Sequence, residues 1–163
     1  MKTLLIVVYS RTGGTQQMAE AARRGASGEA EIDVRFLQAR EAQPDDVLAA
    51  DGYIFATPEN LAALAGEMKE FFDRTYYPVL DRINGRPFAM LICAGSDGEN
   101  AARQIGRIAT GWRLRRIADP LIVCTRAQTP EAILAPKLIG PPDLDRCAEL
   151  GAAMAAGLAS GIF

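Results

Sequence analysis

Residues Leu4-Leu5-Ile6-Val7-Val8-Tyr9 form a continuous apolar run rich in β-branched side chains, and the six that follow, Ser10-Arg11-Thr12-Gly13-Gly14-Thr15, carry hydroxyls and glycines. Next come Met18, Ala19, Ala21, Ala22 and Gly25 at helical spacing, with Glu20, Arg23 and Arg24 between them on a solvent face. A strand with no polar face must be covered on both sides, and that is the situation of a strand inside a parallel sheet. This opening restricts the chain to folds in which a buried strand feeds a helix through a tight polar turn.

The alternation continues. Glu31 to Leu37 sets Ile32, Val34 and Phe36 against Asp33 and Arg35, the period-two pattern of a strand near a sheet edge. Asp51 to Thr57 is a third strand, and Leu64 to Tyr77 a helix with Met68, Phe71 and Phe72 inside. Phe88 to Cys93 is a fourth strand, followed by a helix from about Asn100 to Leu114. Ile117 to Thr125 is a fifth, where Pro120 argues for an edge position or a bulge. Gln128 to Pro142 holds four prolines and breaks any long element, and Asp143 to Ala159 closes the chain as an alanine-rich helix. The expectation is one α/β domain over residues 1–163, a three-layer doubly wound sheet of five parallel strands. If the order is 2-1-3-4-5, the ligand crevice opens at the carboxyl ends of strands 1, 3 and 4.

Composition removes several functions. With no histidine in the sequence, a Ser-His-Asp triad, a Cys-His pair and imidazole-dependent zinc sites are excluded. A formal charge of -2 lacks the positive field that drives binding to nucleic acid or anionic membrane, so neither is an expected partner. Three widely separated cysteines, Cys93, Cys124 and Cys147, fit a reduced compartment, and the short apolar start is expected to be a strand rather than a membrane span or a leader. A cytoplasmic location is expected.

Three loops meet the predicted crevice. The first, Ser10 to Thr15, offers helix-start amides, glycines that let an anion approach the backbone, and three hydroxyls, which suits a phosphate; the same residues also suit an ordinary capped βα turn. It has neither G-x-x-x-x-G-K-[ST] nor G-x-G-x-x-G, which disfavours ATP and a tightly held dinucleotide. In the second, Pro58 stiffens the chain leaving the third strand, so that Glu59, Asn60 and Leu61 can border a flat ring. Further along, Lys69, Asp73 and Arg74 fit helix-surface ion pairs and Phe71 and Phe72 fit core. In the third, Ala94-Gly95-Ser96-Asp97 permits close approach to a ligand, while Asp97 or Asn100 can cap the next helix. Trp112 with Arg113, Arg115 and Arg116 is either a partner surface or, more plainly, a helix end with a solvated basic turn.

On these residues the sequence resembles the flavodoxin-like FMN-binding family. Its first loop, T/S-x-T-G-x-T, is matched by Ser10, Thr12, Gly13 and Thr15. The pattern T-P-x-Y/N followed by G-x-x-K-x-F-x-D-R, of the family's NAD(P)H-dependent reductases, is matched by Thr57, Pro58 and Asn60, then Gly66, Lys69, Phe71, Asp73 and Arg74. The resemblance implies that the hydroxyls of Ser10, Thr12 and Thr15 and the amides from Arg11 through Gly13 and Gly14 to Thr15 hold the terminal phosphate of FMN, with Arg11 adding charge or simply exposed. It implies that Thr57, Pro58, Glu59, Asn60 and Leu61 meet the isoalloxazine, and that Ala94, Gly95, Ser96 and Asp97 border the ribityl chain and pyrimidine edge. Unlike the electron-transfer flavodoxins, Ala94 to Asn100 contains no aromatic residue to stack on the ring.

The activity implied is that of an FMN-containing oxidoreductase, passing electrons from NAD(P)H, a transient donor, to a quinone, a free flavin or another small-molecule acceptor, with no side chain serving as acid, base or nucleophile. Two alternatives stand beside it: a flavodoxin-type carrier that meets a redox partner protein and never NAD(P)H, and a flavodoxin-like binding module that has lost FMN. The weak net charge counts against the carrier. Gln128 to Pro142, with Tyr76 and Tyr77, is expected to wall the pocket or to meet a second subunit in a homodimer. A low-molecular-weight phosphatase fails because C-x5-R is absent after Cys93 and Cys124, and a response-regulator receiver fails because its acidic and lysine positions are Tyr9-Ser10, Thr57 and Thr125-Arg126.

Overall fold

The computed structural model describes residues Met1–Phe163. Its central sheet is built on β1 (Lys2–Val8), β2 (Ile32–Gln38), β3 (Gly52–Asn60) and β5 (Pro87–Ala94), parallel and in the order β2-β1-β3-β5. That is the expected 2-1-3-4 succession. The fifth strand is divided: β6 (Arg115–Arg116) and β7 (Leu121–Cys124) pair in turn along the outer edge of β5. Pro120 lies in the gap, where its missing N–H costs the ladder nothing.

Helices α1 (Gly14–Ala26) and α6 (Pro141–Ser160) cover one face, and α2 (Pro44–Ala49), α3 (Gly66–Val79) and α4 (Glu99–Gly111) the other. The short α5 (Pro130–Leu134) lies in the irregular segment before α6. β1 alternates between the faces, sending Leu4, Ile6 and Val8 toward α1 and α6 and Leu5 and Val7 toward the other layer. No helix is long and apolar enough to cross a membrane.

The two layers are packed by different means. Under α3 and α4 the core is aromatic: Phe55 lies 5.1 Å from Phe72 and 6.4 Å from Trp112, ring centre to centre. Each such ring contributes roughly 1.5–3 kcal/mol by burial alone. Trp112 is fully buried and its indole N–H donates to the Tyr76 carbonyl at 3.0 Å, so it is core and not a partner surface. Tyr76 stacks on Trp112 and is not among the residues that line the cleft at the carboxyl edge of the sheet, so it does not wall that pocket. On the opposite face α1 and α6 touch backbone to backbone. A methyl on Gly25 would stand 1.9 Å from the Ala148 carbonyl oxygen, and one on Gly151 1.9 Å from that of Ala22.

Two segments depart from the expected pattern. α2 falls between the second and third strands, with Pro44 in its first turn and a capping box between Gln43 and Asp46. β3 does not stop at Thr57: it continues to Asn60, turns through Leu61 and Ala62, and returns as β4 (Ala63–Leu64). A two-residue hairpin of this kind favours positive φ at both central positions, and Leu61 (51°) and Ala62 (59°) adopt it although neither is Gly or Asn. The surface pairs on α3 are as expected, with Lys69 bonded to Asp73 at 2.6 Å and Arg74 to Glu70 at 3.1 Å.

Candidate functional site

At the carboxyl edge of the sheet the three loops surround one cleft of about 420 Å³. Its lining includes Ser10, Arg11, Thr12, Gly14 and Thr15 from the first loop and the start of α1, Pro58 to Leu61 from the hairpin, and Ala94 at the end of β5 with Gly95 and Ser96 after it. A hollow of similar volume, between Met1, Lys2, Ala30, Glu31 and Ala159, is more open and is lined by no hydroxyl side chain and no glycine.

The first loop forms the anion-facing end. Gly13 sits at φ 94° as the residue before α1 and its N–H donates to Ser10 Oγ at 3.1 Å, which fixes the turn without any side chain capping the helix. The first amides of α1 therefore keep free donors and the positive end of the dipole. Thr15, 1% exposed, has its hydroxyl buried without a partner. Beside it the Cys93 thiol, pushed up to about 11 by burial against a smaller opposing pull from Lys137, offers only a weak acceptor. A buried hydroxyl without a strong partner costs roughly 1–3 kcal/mol, and at this helix start a ligand oxygen would complete its bonding. The phosphate of FMN fits this donor set of amides and hydroxyls.

The hairpin forms the second wall and is held by helix α4. Glu59, although it lines the cleft, has both carboxylate oxygens engaged elsewhere. Its Oε1 accepts from the Gly98 N–H at 2.9 Å and its Oε2 from the Ala101 N–H at 3.0 Å. A carboxylate from another strand thus caps α4, the role expected of Asp97 or Asn100. Asp97 lies outside the cleft, with one oxygen 3.4 Å from the Glu99 N–H. The Leu64 N–H donates to Gln104 Oε1 at 2.8 Å, a second tie to α4. Thr57 is wholly buried and its hydroxyl accepts from the Ala65 N–H at 3.2 Å, so it supports the hairpin and cannot border a ligand ring. Leu61, by contrast, stands fully exposed on the cleft's rim.

The third wall is one that the sequence does not resolve into individual residues. Thr125, Ala127 and Gln128 follow β7, and Ile133, Leu134 and Lys137 come from α5 and the strap after it. Gln17 of α1 pins this strap: its amide donates to the carbonyls of Gly13 and Lys137 at 2.9 and 2.8 Å and accepts from the Ile139 N–H at 3.0 Å. The Lys137 N–H donates to the Thr12 carbonyl at 2.8 Å. The proline-rich composition of the segment is the only sequence signal that points to it. No aromatic side chain lines the cleft.

A parallel sheet in this order, with a hydroxyl-and-amide cradle where β1 enters α1, defines a flavodoxin-like domain. Comparison with known proteins agrees with that fold and gives, over part of the chain, a resemblance to FMN-binding proteins. The family model of NADPH-dependent FMN reductase matches residues 44–121. A protein named flavodoxin from Aquifex aeolicus is 35% identical over 86 residues, which is 53% of this chain and 46% of that one. A protein named NAD(P)H dehydrogenase (quinone) from Acidithiobacillus ferrooxidans is 34% identical over 95 residues, 46% of this chain and 48% of that one. The chain spans about half the length of these curated relatives. Among solved structures, a flavodoxin from the domain Archaea superposes with a TM-score of 0.76 over 98% of this chain and 99% of that one, at 19% identity, which shows the fold.

Proposed function

We propose that the chain binds FMN in this cleft and is an oxidoreductase that takes electrons from NAD(P)H and delivers them to a small acceptor such as a quinone or free flavin. The observation that carries the reading is the buried, unpartnered Thr15 hydroxyl at the uncapped start of α1, inside a cleft whose other walls are a hairpin and a strap. When bound, FMN would supply hydride acceptance and electron delivery. The chain's own groups do the rest. The amides of Arg11, Thr12, Gly14 and Thr15 with the hydroxyls of Thr12 and Thr15 would take the phosphate, Pro58, Asn60 and Leu61 border the ring, and Ala94, Gly95 and Ser96 leave room for the ribityl chain.

The absence of an aromatic lid favours the reductase over the carrier, because a ring face left uncovered by the protein is open to a nicotinamide. The family model's description and the quinone dehydrogenase relative support the same choice. Titration of flavin-free protein with FMN, followed by fluorescence quenching, tests the first half. Steady-state oxidation of NADH and NADPH by the loaded protein with a quinone tests the second: tight FMN binding with no turnover on either nucleotide would return the chain to the carrier class.

A further inference from the structure

Lys137 reaches the phosphate end of the cleft from 122 residues beyond Thr15 and belongs to none of the three crevice loops. Its ammonium lies 3.4 Å from Thr12 Oγ1 and is held by the carbonyls of Ile133 at 2.8 Å and Ala135 at 2.6 Å. Its backbone is fixed on both sides, the N–H on the Thr12 carbonyl and the C=O on the Gln17 amide. Its stem crosses the start of α1, where a methyl added to Gly14 would come within 3.3 Å of Lys137 Cβ. The side chain is half-buried and held in place before any ligand arrives. The other basic residue of the lining, Arg11, is exposed and makes no hydrogen bond.

Two carbonyls and a hydroxyl around one ammonium satisfy its donors but leave its charge uncompensated, for no carboxylate joins them. The one carboxylate in the cleft lining, Glu59, is spent on α4. A fixed, half-desolvated positive charge next to an orphaned hydroxyl and free helix-start amides is matched by an anion of high charge density.

Resting on the FMN reading, we infer that Lys137 is the counter-cation of the ligand's phosphate, a specificity residue by which the C-terminal strap makes the site select a phosphomonoester dianion over the unphosphorylated flavin. The strap thereby both walls the cleft and supplies charge where the first loop has only dipoles. Lys137 touches no reacting atom in this account; it sets which molecules stay.

The test compares the native chain, Lys137→Gln and Lys137→Arg, each checked for folding by circular dichroism and melting temperature. Each is titrated with FMN, with riboflavin and with inorganic phosphate, the last followed by the rise in melting temperature. Glutamine keeps a donor for the strap carbonyls and removes the charge. FMN affinity is expected to fall by about tenfold to a hundredfold in Lys137→Gln, as for loss of a charge-assisted hydrogen bond, with riboflavin affinity unmoved and with most of the loss recovered in Lys137→Arg. The salt dependence of FMN binding should flatten in the glutamine variant. Equal losses for FMN and riboflavin, or no loss for FMN, would overturn the inference and leave the FMN reading standing. A native chain stabilised by phosphate through Lys137 yet unable to bind FMN would overturn the FMN reading alone, and a chain that binds neither overturns both.

Discussion

Helices α1 and α4 begin alike and end up with opposite assignments. Each follows a buried parallel strand, each starts after a glycine in the left-handed region, Gly13 at φ 94° and Gly98 at φ 90°, and neither has its own side-chain cap. At α4 the exposed amides are taken by the Glu59 carboxylate from the hairpin. At α1 they are left to a buried hydroxyl without a partner and a lysine without a counter-ion. The fold thus builds two similar helix starts and closes one with an internal carboxylate; the other is the one proposed above to receive a ligand. The donor geometry of a helix start does not by itself mark a binding site; the missing internal acceptor does.

The contrast can be erased by giving α1 what α4 already has. Thr12→Asp places a carboxylate beside Lys137 at the start of α1, and FMN affinity measured by fluorescence quenching should fall on the order of a thousandfold, about 4 kcal/mol, while the flavin-free protein melts no lower than native. From the other side, Glu59→Ala leaves the Gly98 and Ala101 amides without an acceptor and frees the hairpin, and chemical denaturation should show a loss of roughly 2–3 kcal/mol. A loss under about 0.5 kcal/mol would mean that the capping carboxylate contributes little and that the two helix starts differ less than their geometry says. Thr15→Val sharpens the distinction: FMN binding should weaken by about tenfold, yet the flavin-free protein should be as stable as native or more so, since an unpaired buried hydroxyl has been removed.

The smallest effect concerns the thiol beneath α1. Burial holds the Cys93 pKa near 11, above its ordinary value of 9.0, so the folded state keeps a proton that the unfolded chain gives up. The resulting stability is complete below pH 9 and is lost as pH rises toward 11, a decline on the order of 1 kcal/mol between pH 9 and 10. Denaturation midpoints across that window should fall less steeply in Cys93→Ala than in the native chain; equal slopes would assign the decline to Cys147 and Tyr53, whose values are also raised.

What the sequence discloses is what short-range patterning controls. The β1–loop–α1 unit, the alternating β2 and the apolar β5 are legible because their burial repeats within a few residues. The hairpin is hidden because Leu61 and Ala62 lack the glycine or asparagine that announces such a turn, and because Pro58 argues against strand. Glu59 is placed at the cleft by its neighbours, but its bonds run to residues 39 and 42 positions away, beyond the reach of any local pattern. Lys137 escapes a reading of the sequence for the same reason at greater distance, its partners Thr12 and Gln17 lying 125 and 120 positions away.

The clamp from Gln17 to Lys137 and Ile139 also sets an order of events. A nascent chain can pair β1 with β2 and β3 as soon as β3 has emerged, but the strap cannot seat until residue 139 is clear of the ribosome. The first loop therefore acquires its lysine only after every strand of the sheet has been made.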